Sequence, residues 1–332
     1  MYRPNIFNYA TSELSQDAMI CYLLEWAKKE NKEVDANTHK IGVKLLDAFF
    51  NKYLEVIEKP RTYDNVEVIK QDNNIDVLCV VNKRYPIIIE DKTNTKNHGD
   101  QLKRYFQQIE SREEFESKNI MCIYFKTHDQ SCYKDIEKNN YKVFLRKEIL
   151  DVLNSYSTDN IILNDYKEYL QKIEDDVNSY STKRFNDWDY NSWKGFFIRL
   201  KEELNDGNWG YVANPTGGFL GYWFNWVDID NKHWIYFQIE YHNKDTFKFN
   251  IKLYSKIKEK INKDIFNEVS KKLYKDYENF KIRRPKKIRY GKSMTIAELD
   301  GNFIIENEDT TVNIDKTVKN IQTIIRLIND PL

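Results

Sequence analysis

Cysteine is scarce, with 4 in 332 residues, and Cys21, Cys79, Cys122 and Cys132 show no C-x-x-C spacing. That spacing gives no support for a zinc site, and the four read as buried free thiols suited to a reducing cytoplasm. Long hydrophobic runs are missing as well. No apolar stretch approaches the roughly 20 residues that a membrane helix needs. The opening Met1-Tyr-Arg-Pro-Asn5 lacks the basic-then-apolar order of a signal peptide. These absences lead to the expectation of a soluble, cytoplasmic protein with no membrane partner. Surplus charge is absent too: 52 basic residues balance 52 acidic ones, so bulk electrostatics points to no partner. No internal repeat is evident, which excludes a solenoid.

What is present describes a globular chain long enough for two domains, with 41% hydrophobic and 14% aromatic residues to fill their cores. Charge and composition shift along it. Residues 1–180 carry 26 basic and 31 acidic side chains, and residues 181–332 carry 26 and 21. Six of the 7 tryptophans lie between Trp188 and Trp234, and eight of the 10 glycines after residue 190. The polar break Ser155–Asn160 and an acidic amphipathic helix over Ile161–Val177 separate the two compositions. The domains are therefore read as 1–155, a connection over 156–182, and 183–332.

In the first part, Ser12 caps a helix that runs to about Lys29. A second helix runs from about Asn37 to Ile57 and is stopped by Pro60. Val66–Lys70 reads as a strand. Ile75–Val81 and Pro86–Ile89 read as a hairpin around Asn82-Lys83-Arg84, with Val and Ile on both faces, as in a covered sheet. A helix over Asn97–Glu110 places Gln101 and Tyr105 one turn apart. Strands at Ile120–Phe125 and Tyr141–Leu145 and a helix over Lys147–Leu153 follow. The fold class is α/β, a mixed sheet with helices on both faces.

Three charged residues interrupt the apolar hairpin. Period 2 puts Glu90 and Lys92 on one face. Asp76 joins them only if even-numbered residues pair with even ones, which needs a three-residue turn or a bulge. Charges placed inside apolar strands need pairing or a metal to offset desolvation. Taken one at a time they also read as ordinary strand-end ion pairs. Two carboxylates and an ammonium on one face can hold a divalent metal beside a water.

Asp76, then thirteen residues, then Glu90-x-Lys92 resembles the signature of the PD-(D/E)XK nucleases, the restriction-endonuclease-like superfamily. Gln101-Leu-Lys-Arg-Tyr105 resembles the Q-x-x-x-Y helix of several branches, and Glu13 resembles the acid of the first helix. The chain departs from the pattern at Ile75, where the family often has proline. The resemblance covers about residues 10–155 and implies a restriction-endonuclease-like core. It also implies Mg²⁺, replaceable by Mn²⁺, held by Asp76, Glu90 and the Asp91 carbonyl. Lys92 would position or help deprotonate the attacking water, and Gln101 and Tyr105 would face the active centre. Glu13 competes with a plain dipole role, since an acid beside an N-cap is favoured without any chemistry. His98, near the start of the third helix, reads as a solvated loop histidine or a proton carrier.

The second part reads as α+β on an antiparallel sheet. A helix over Asp189–Leu204 precedes strands at Trp209–Val212, Phe219–Val227, His233–Tyr241 and Thr246–Tyr254, with turns such as Asn214–Gly218 and His242–Asp245. A helix over about 256–279, a basic loop, a β-pair near Met294–Ile305 and a helix over about 313–329 complete it. Lys281–Lys292 holds seven basic residues and no acidic one. Its Arg283, Arg284, Lys286 and Lys287 are candidate phosphate contacts, or simply solvated surface. Trp209, Tyr222, Trp223, Trp226, Trp234 and Tyr236 either fill a core or stack bases.

The sequence thus leads to the expectation of a metal-dependent deoxyribonuclease, in prokaryotic defence or DNA processing. The alternative is a non-catalytic nucleic-acid-binding or ligand-sensing protein that keeps the fold, and a third reading is an enzyme acting on another phosphate. Expected partners are nucleic acid, DNA first, then a second copy of the chain, and a protein or small ligand for the C-terminal domain.

Overall fold

The computed structural model describes residues 3–95, 99–214, 217–243, 246–257, 259–278 and 280–330. His98, Pro215, Thr216 and Asp245, on which the sequence reading placed a candidate proton carrier and turns, lie outside them. The chain divides into two compact units between Glu174 and Asp175. That division falls inside the helix read as a connection.

The first unit opens with α1 (Glu13–Glu25) and α2 (Ala36–Asn51). Strands β1 (Val66–Asp72), β2 (Ile75–Val81) and β3 (Tyr85–Lys92) follow. Next come α3 (Gln101–Glu110), β4 (Met121–Lys126), α4 (Lys134–Lys138), β5 (Lys142–Leu145), α5 (Arg146–Leu153) and α6 (Ile161–Asn178). The five strands form one sheet in sequence order. β1, β2 and β3 pair antiparallel, whereas β4 and β5 join in parallel, which makes the sheet mixed.

Strand alternation divides the apolar residues between two cores. Val77, Cys79, Ile87, Ile89 and Ile123 pack with α1 and α2 through Ile20, Leu24, Ile41 and Phe49. Leu78, Val80, Ile88, Cys122 and Tyr124 pack with α3 through Leu102, Tyr105 and Ile109. With both faces covered, β3 is buried along its whole length, charged residues included. The second helix is shorter than its periodicity suggested and ends at Asn51, in a turn from which Tyr53 donates to the Cys122 carbonyl at 2.8 Å.

The second unit holds α7 (Tyr190–Leu204), β6 (Asn208–Val212), β7 (Phe219–Asp228), β8 (His233–Asn243) and β9 (Thr246–Ser255). α8 (Lys263–Leu273), β10 (Lys281–Arg283), β11 (Ser293–Asp300) and α9 (Ile314–Asn329) complete it. Its six-stranded sheet has the order β10-β11-β9-β8-β7-β6, antiparallel throughout. Three expectations change here. The helix expected over 256–279 occupies only Lys263–Leu273. The basic loop begins as a short edge strand, and β11 pairs with β10 and β9 rather than with residues near Ile305. No helix among the described residues is long and apolar enough to cross a membrane.

Candidate active site

The hairpin turn decides which side chains meet. Asn82-Lys83-Arg84 makes a three-residue connection, with Asn82 and Lys83 at φ 51° and 54°. Asn82 tolerates that left-handed backbone and is anchored twice: its Nδ2 donates to the Thr62 carbonyl at 2.9 Å and its Oδ1 accepts the Asn65 N–H at 3.1 Å. Three residues fix the parity, because Val81 pairs with Tyr85 and Val77 with Ile89. One step beyond, Asp76 stands across from Glu90, on the α3 side of the sheet with Lys92. The parity condition drawn from the sequence is met.

Lys92 Nζ lies 2.6 Å from Glu90 Oε1, 3.6 Å from Glu13 Oε2 and 3.8 Å from Asp76 Oδ2. It also donates to the Asp91 carbonyl at 2.8 Å. Glu90 is fully buried; its Oε1 is held by Lys92, and its Oε2 has no hydrogen-bond partner. Burial, then the charge of Asp76, pushes the Glu90 carboxyl up to about 8. Asp76 is raised as well, by burial against the pull of Lys92, and its Oδ2 accepts the Asp91 N–H at 2.9 Å. Burial pushes Lys92 down, but Glu90, Asp76 and Glu13 together hold it above the usual lysine range, so it is cationic.

The flanking groups converge as well. Glu13, at the start of α1, accepts from the Thr93 N–H at 3.3 Å and from the Thr95 hydroxyl. Gln101 Nε2 donates to Tyr105 Oη at 2.9 Å. Burial raises the Tyr105 phenol, and the carboxylates of Glu90 and Asp76 raise it further, which places this ring in their field.

Three carboxyl groups surround the Lys92 ammonium, and Lys126 is the next cation along the sheet. Among the described residues no three His, Cys, Asp or Glu groups converge into a complete protein cage for a metal. The donors nevertheless suit a dication. Glu90 has a buried oxygen without a partner, Asp76 faces it, and the Asp91 carbonyl is one residue away. A hard cation held by few carboxylates completes its shell with water.

The Asp91 side chain departs from the trio. Period 2 turns it to the other face, where Gln16 Nε2 donates to its Oδ1 at 2.5 Å and Thr127 Oγ1 donates to Gln16 Oε1 at 3.0 Å. Asp17 lies beside it. Burial, then Asp17, holds Asp91 well above the carboxylate range, and burial, then Asp76, raises Asp17 to about 7. Neither Asp17 Oδ1 nor Asp91 Oδ2 has a partner. Gln16, Asp17 and Lys126 escaped the sequence reading. Lys126, next to Lys92 across the β3–β4 pair, donates to the Thr93 and Thr95 carbonyls at 2.6 Å each. The only signal of this arrangement in the sequence is a charged residue ending an apolar strand.

The raised Asp17 value makes a stability prediction. Its folded value lies above the ordinary carboxylate value of about 4, so the stability it adds is complete below that pH. That contribution is lost as pH rises through about 7. Asp17→Asn, which cannot ionise, should therefore gain stability relative to the parent between pH 5 and pH 8 and show a flatter pH profile. Urea melts at pH 5 and pH 8 check this; equal losses of stability between the two pH values in both proteins would contradict it.

A family model described as the PD-(D/E)XK nuclease superfamily matches residues 4–196, more than half of the chain. The chain belongs to that superfamily, and the mixed sheet flanked by helices agrees with its fold. Members of the superfamily generally use divalent metals. Neither a curated protein nor a solved structure matches the chain.

Proposed function

We propose that the protein is a divalent-metal-dependent nuclease that hydrolyses phosphodiester bonds in DNA, with Mg²⁺ as cofactor and Mn²⁺ able to replace it. The observation that carries the reading is the position of Asp76 across the hairpin from Glu90, one step beyond the Val77–Ile89 pair, with Lys92 beside both. A module that only bound nucleic acid would gain nothing from keeping two carboxylates in mutual repulsion beside the lysine. Asp76, Glu90 and the Asp91 carbonyl would hold the cation. When bound, it supplies charge neutralisation at the phosphate and a more acidic water.

The chain's own groups do the rest. Lys92, cationic and tethered to the Asp91 carbonyl, stabilises charge that develops on the phosphate oxygens and orients the water. In this reading its role is electrostatic or that of a positioner that helps deprotonate the water. Glu13 sets the position of Lys92 and of the Thr93–Thr95 segment. Gln101 and Tyr105 act as a hydrogen-bonded pair at the start of α3 and contact the substrate. A role in prokaryotic defence or DNA processing, in the cytoplasm, is the setting that suits such an enzyme.

Purified protein should cut DNA in Mg²⁺ or Mn²⁺, stop on chelation, and lose cleavage in Lys92→Ala. Cleavage that survives unchanged in Lys92→Ala would overturn the assignment. A parallel assay on RNA tests the choice of substrate.

In the second unit, Arg283 is ion-paired with Asp276 at 2.5 Å and Arg284 lies over the Phe266 ring at 5.7 Å, while Lys286 and Lys287 are exposed. We assign these four residues to the binding of backbone phosphates. Removing any one of these phosphate–cation pairs should lower the slope of log affinity against log salt by about 0.9 on duplex DNA. A salt titration of the variant with all four changed to Ala measures this in Ca²⁺, and an unaltered slope would leave the loop as solvated surface.

A further inference from the structure

The aromatic residues of the second unit fall into two groups. Trp209, Tyr222, Phe224 and Phe237 belong to its core. Tyr236, Trp234 and Tyr254 lie on the other face, because Trp234 pairs with Tyr254 and Tyr236 with Lys252. Trp226 joins them through a bulge: Asn225, at φ 55°, inserts an extra residue between the pairs Phe224–Phe237 and Val227–Ile235. The bulge is held in place. The Asn225 N–H donates to Asp206 Oδ2 at 2.7 Å, and its side chain donates to Asn329 Oδ1 at 2.9 Å.

The result is a braced indole. Trp226 stacks on Tyr236 with centroids 4.1 Å apart and planes 12° apart, and Trp234 and Tyr254 pack against it edge-on. Tyr236 is fixed from below by a 2.8 Å hydrogen bond between its hydroxyl and Ser293 Oγ. One face of Trp226 is thereby occupied, yet the residue remains 39% exposed. Cations border the cluster. Lys256 Nζ lies 4.5 Å from the Trp234 centroid and Lys292 Nζ 5.0 Å from that of Tyr254. The acids of the adjacent turn are already engaged, Asp228 with Lys256 and Asp230 with His233. Lys292 ends the basic segment that begins at Lys281 and directly precedes Ser293, so the aromatic face and the basic segment adjoin in the chain.

A rigid aromatic surface edged by ammonium groups matches a planar ring attached to an anion. We propose that this face of the second unit's sheet binds unpaired nucleotides of single-stranded nucleic acid. A base stacks on the open face of Trp226, and its phosphates meet Lys292 and the basic segment. The inference rests on the nuclease reading for its substrate class and adds the strandedness. Stacking is indifferent to base identity, so the face holds a strand without reading its sequence.

The test uses the full chain in EDTA and the anisotropy of short labelled oligo(dT) and oligo(U), with a blunt duplex alongside. Trp226→Ala should weaken single-strand binding by about 5- to 150-fold, the range for losing one base–aromatic stack, and leave duplex affinity within about twofold. Trp226→Phe, which keeps a ring, should restore most of the affinity and so separates stacking from misfolding. A drop on oligo(dT), on oligo(U) or on both supports the inference and shows which sugar is accepted. Single-strand affinity unchanged in Trp226→Ala, or an equal drop on the duplex, overturns it. Cleavage is scored separately in Mg²⁺. DNA cleavage by a parent chain whose single-strand binding ignores Trp226 sinks this inference alone. Binding through Trp226 by a chain that cuts nothing sinks the nuclease reading alone.

Discussion

Asp76→Asn should lower DNA cleavage by about a hundred- to a thousandfold or more while the protein stays folded. The asparagine keeps an acceptor for the Asp91 N–H, now received at 2.9 Å by Asp76 Oδ2, so the β2–β3 contact survives. What disappears is one of the three carboxyl groups around the Lys92 ammonium. Without a metal, that change relieves Glu90, whose carboxyl Asp76 helps to push up to about 8. The variant should therefore unfold no more readily than the parent near neutral pH, and added Mn²⁺ should no longer raise its melting temperature. Cleavage rates together with melting curves, with and without Mn²⁺, check both halves. An active Asp76→Asn would remove the aspartate from the site.

The largest stability effect should come from Arg146, at the start of α5. Its guanidinium donates to Asp129 Oδ1 at 2.9 Å, to Glu174 Oε2 at 2.8 Å and to the Thr127 carbonyl at 2.7 Å, and the residue is 5% exposed. Burial pushes this group down, but Asp129 and Glu174 hold it above its usual value. Arg146→Ala removes the guanidinium that bonds two carboxylates and a carbonyl. Breaking a buried pair costs about 3–5 kcal/mol, and the low end applies because both carboxylates keep some solvent exposure. The effect should also reach the site, since Thr127 connects through Gln16 to Asp91. Urea denaturation measures the destabilisation. A change below about 1 kcal/mol, the range of a surface pair, would show that the network is solvated.

The site was legible where its logic is local. Strand alternation and the length of one turn are enough to bring Asp76, Glu90 and Lys92 to one face, and both are written in residues 75–92. The helix spacing of Gln101 and Tyr105 is equally local. What stayed hidden depends on packing between distant segments. Nothing in the chain order announces that Lys126 would hold the carbonyls after β3, or that Gln16 and Asp17 would meet Asp91 on the opposite face. In the sequence the aromatic residues of the second unit form one cluster, because alternation alone cannot place a bulge. Asn225 reverses the phase of β7 and sends Trp226 outward while Phe224 stays in the core. The early end of the second helix has a similar origin: the Tyr53 hydroxyl finds the Cys122 backbone, a partner 69 positions away.

The metal site itself stands or falls on a titration of the metal-free protein with Mn²⁺, comparing the parent with Glu90→Gln at pH 7 and pH 8.5. A carboxyl pushed up to about 8 must lose its proton before it can serve as a ligand, so metal affinity in the parent should rise with pH and binding should release protons. Glu90→Gln should bind far more weakly and show no such pH dependence. Parent protein that takes up no Mn²⁺ at either pH, or equal uptake by Glu90→Gln, would contradict a cation site built on Asp76 and Glu90.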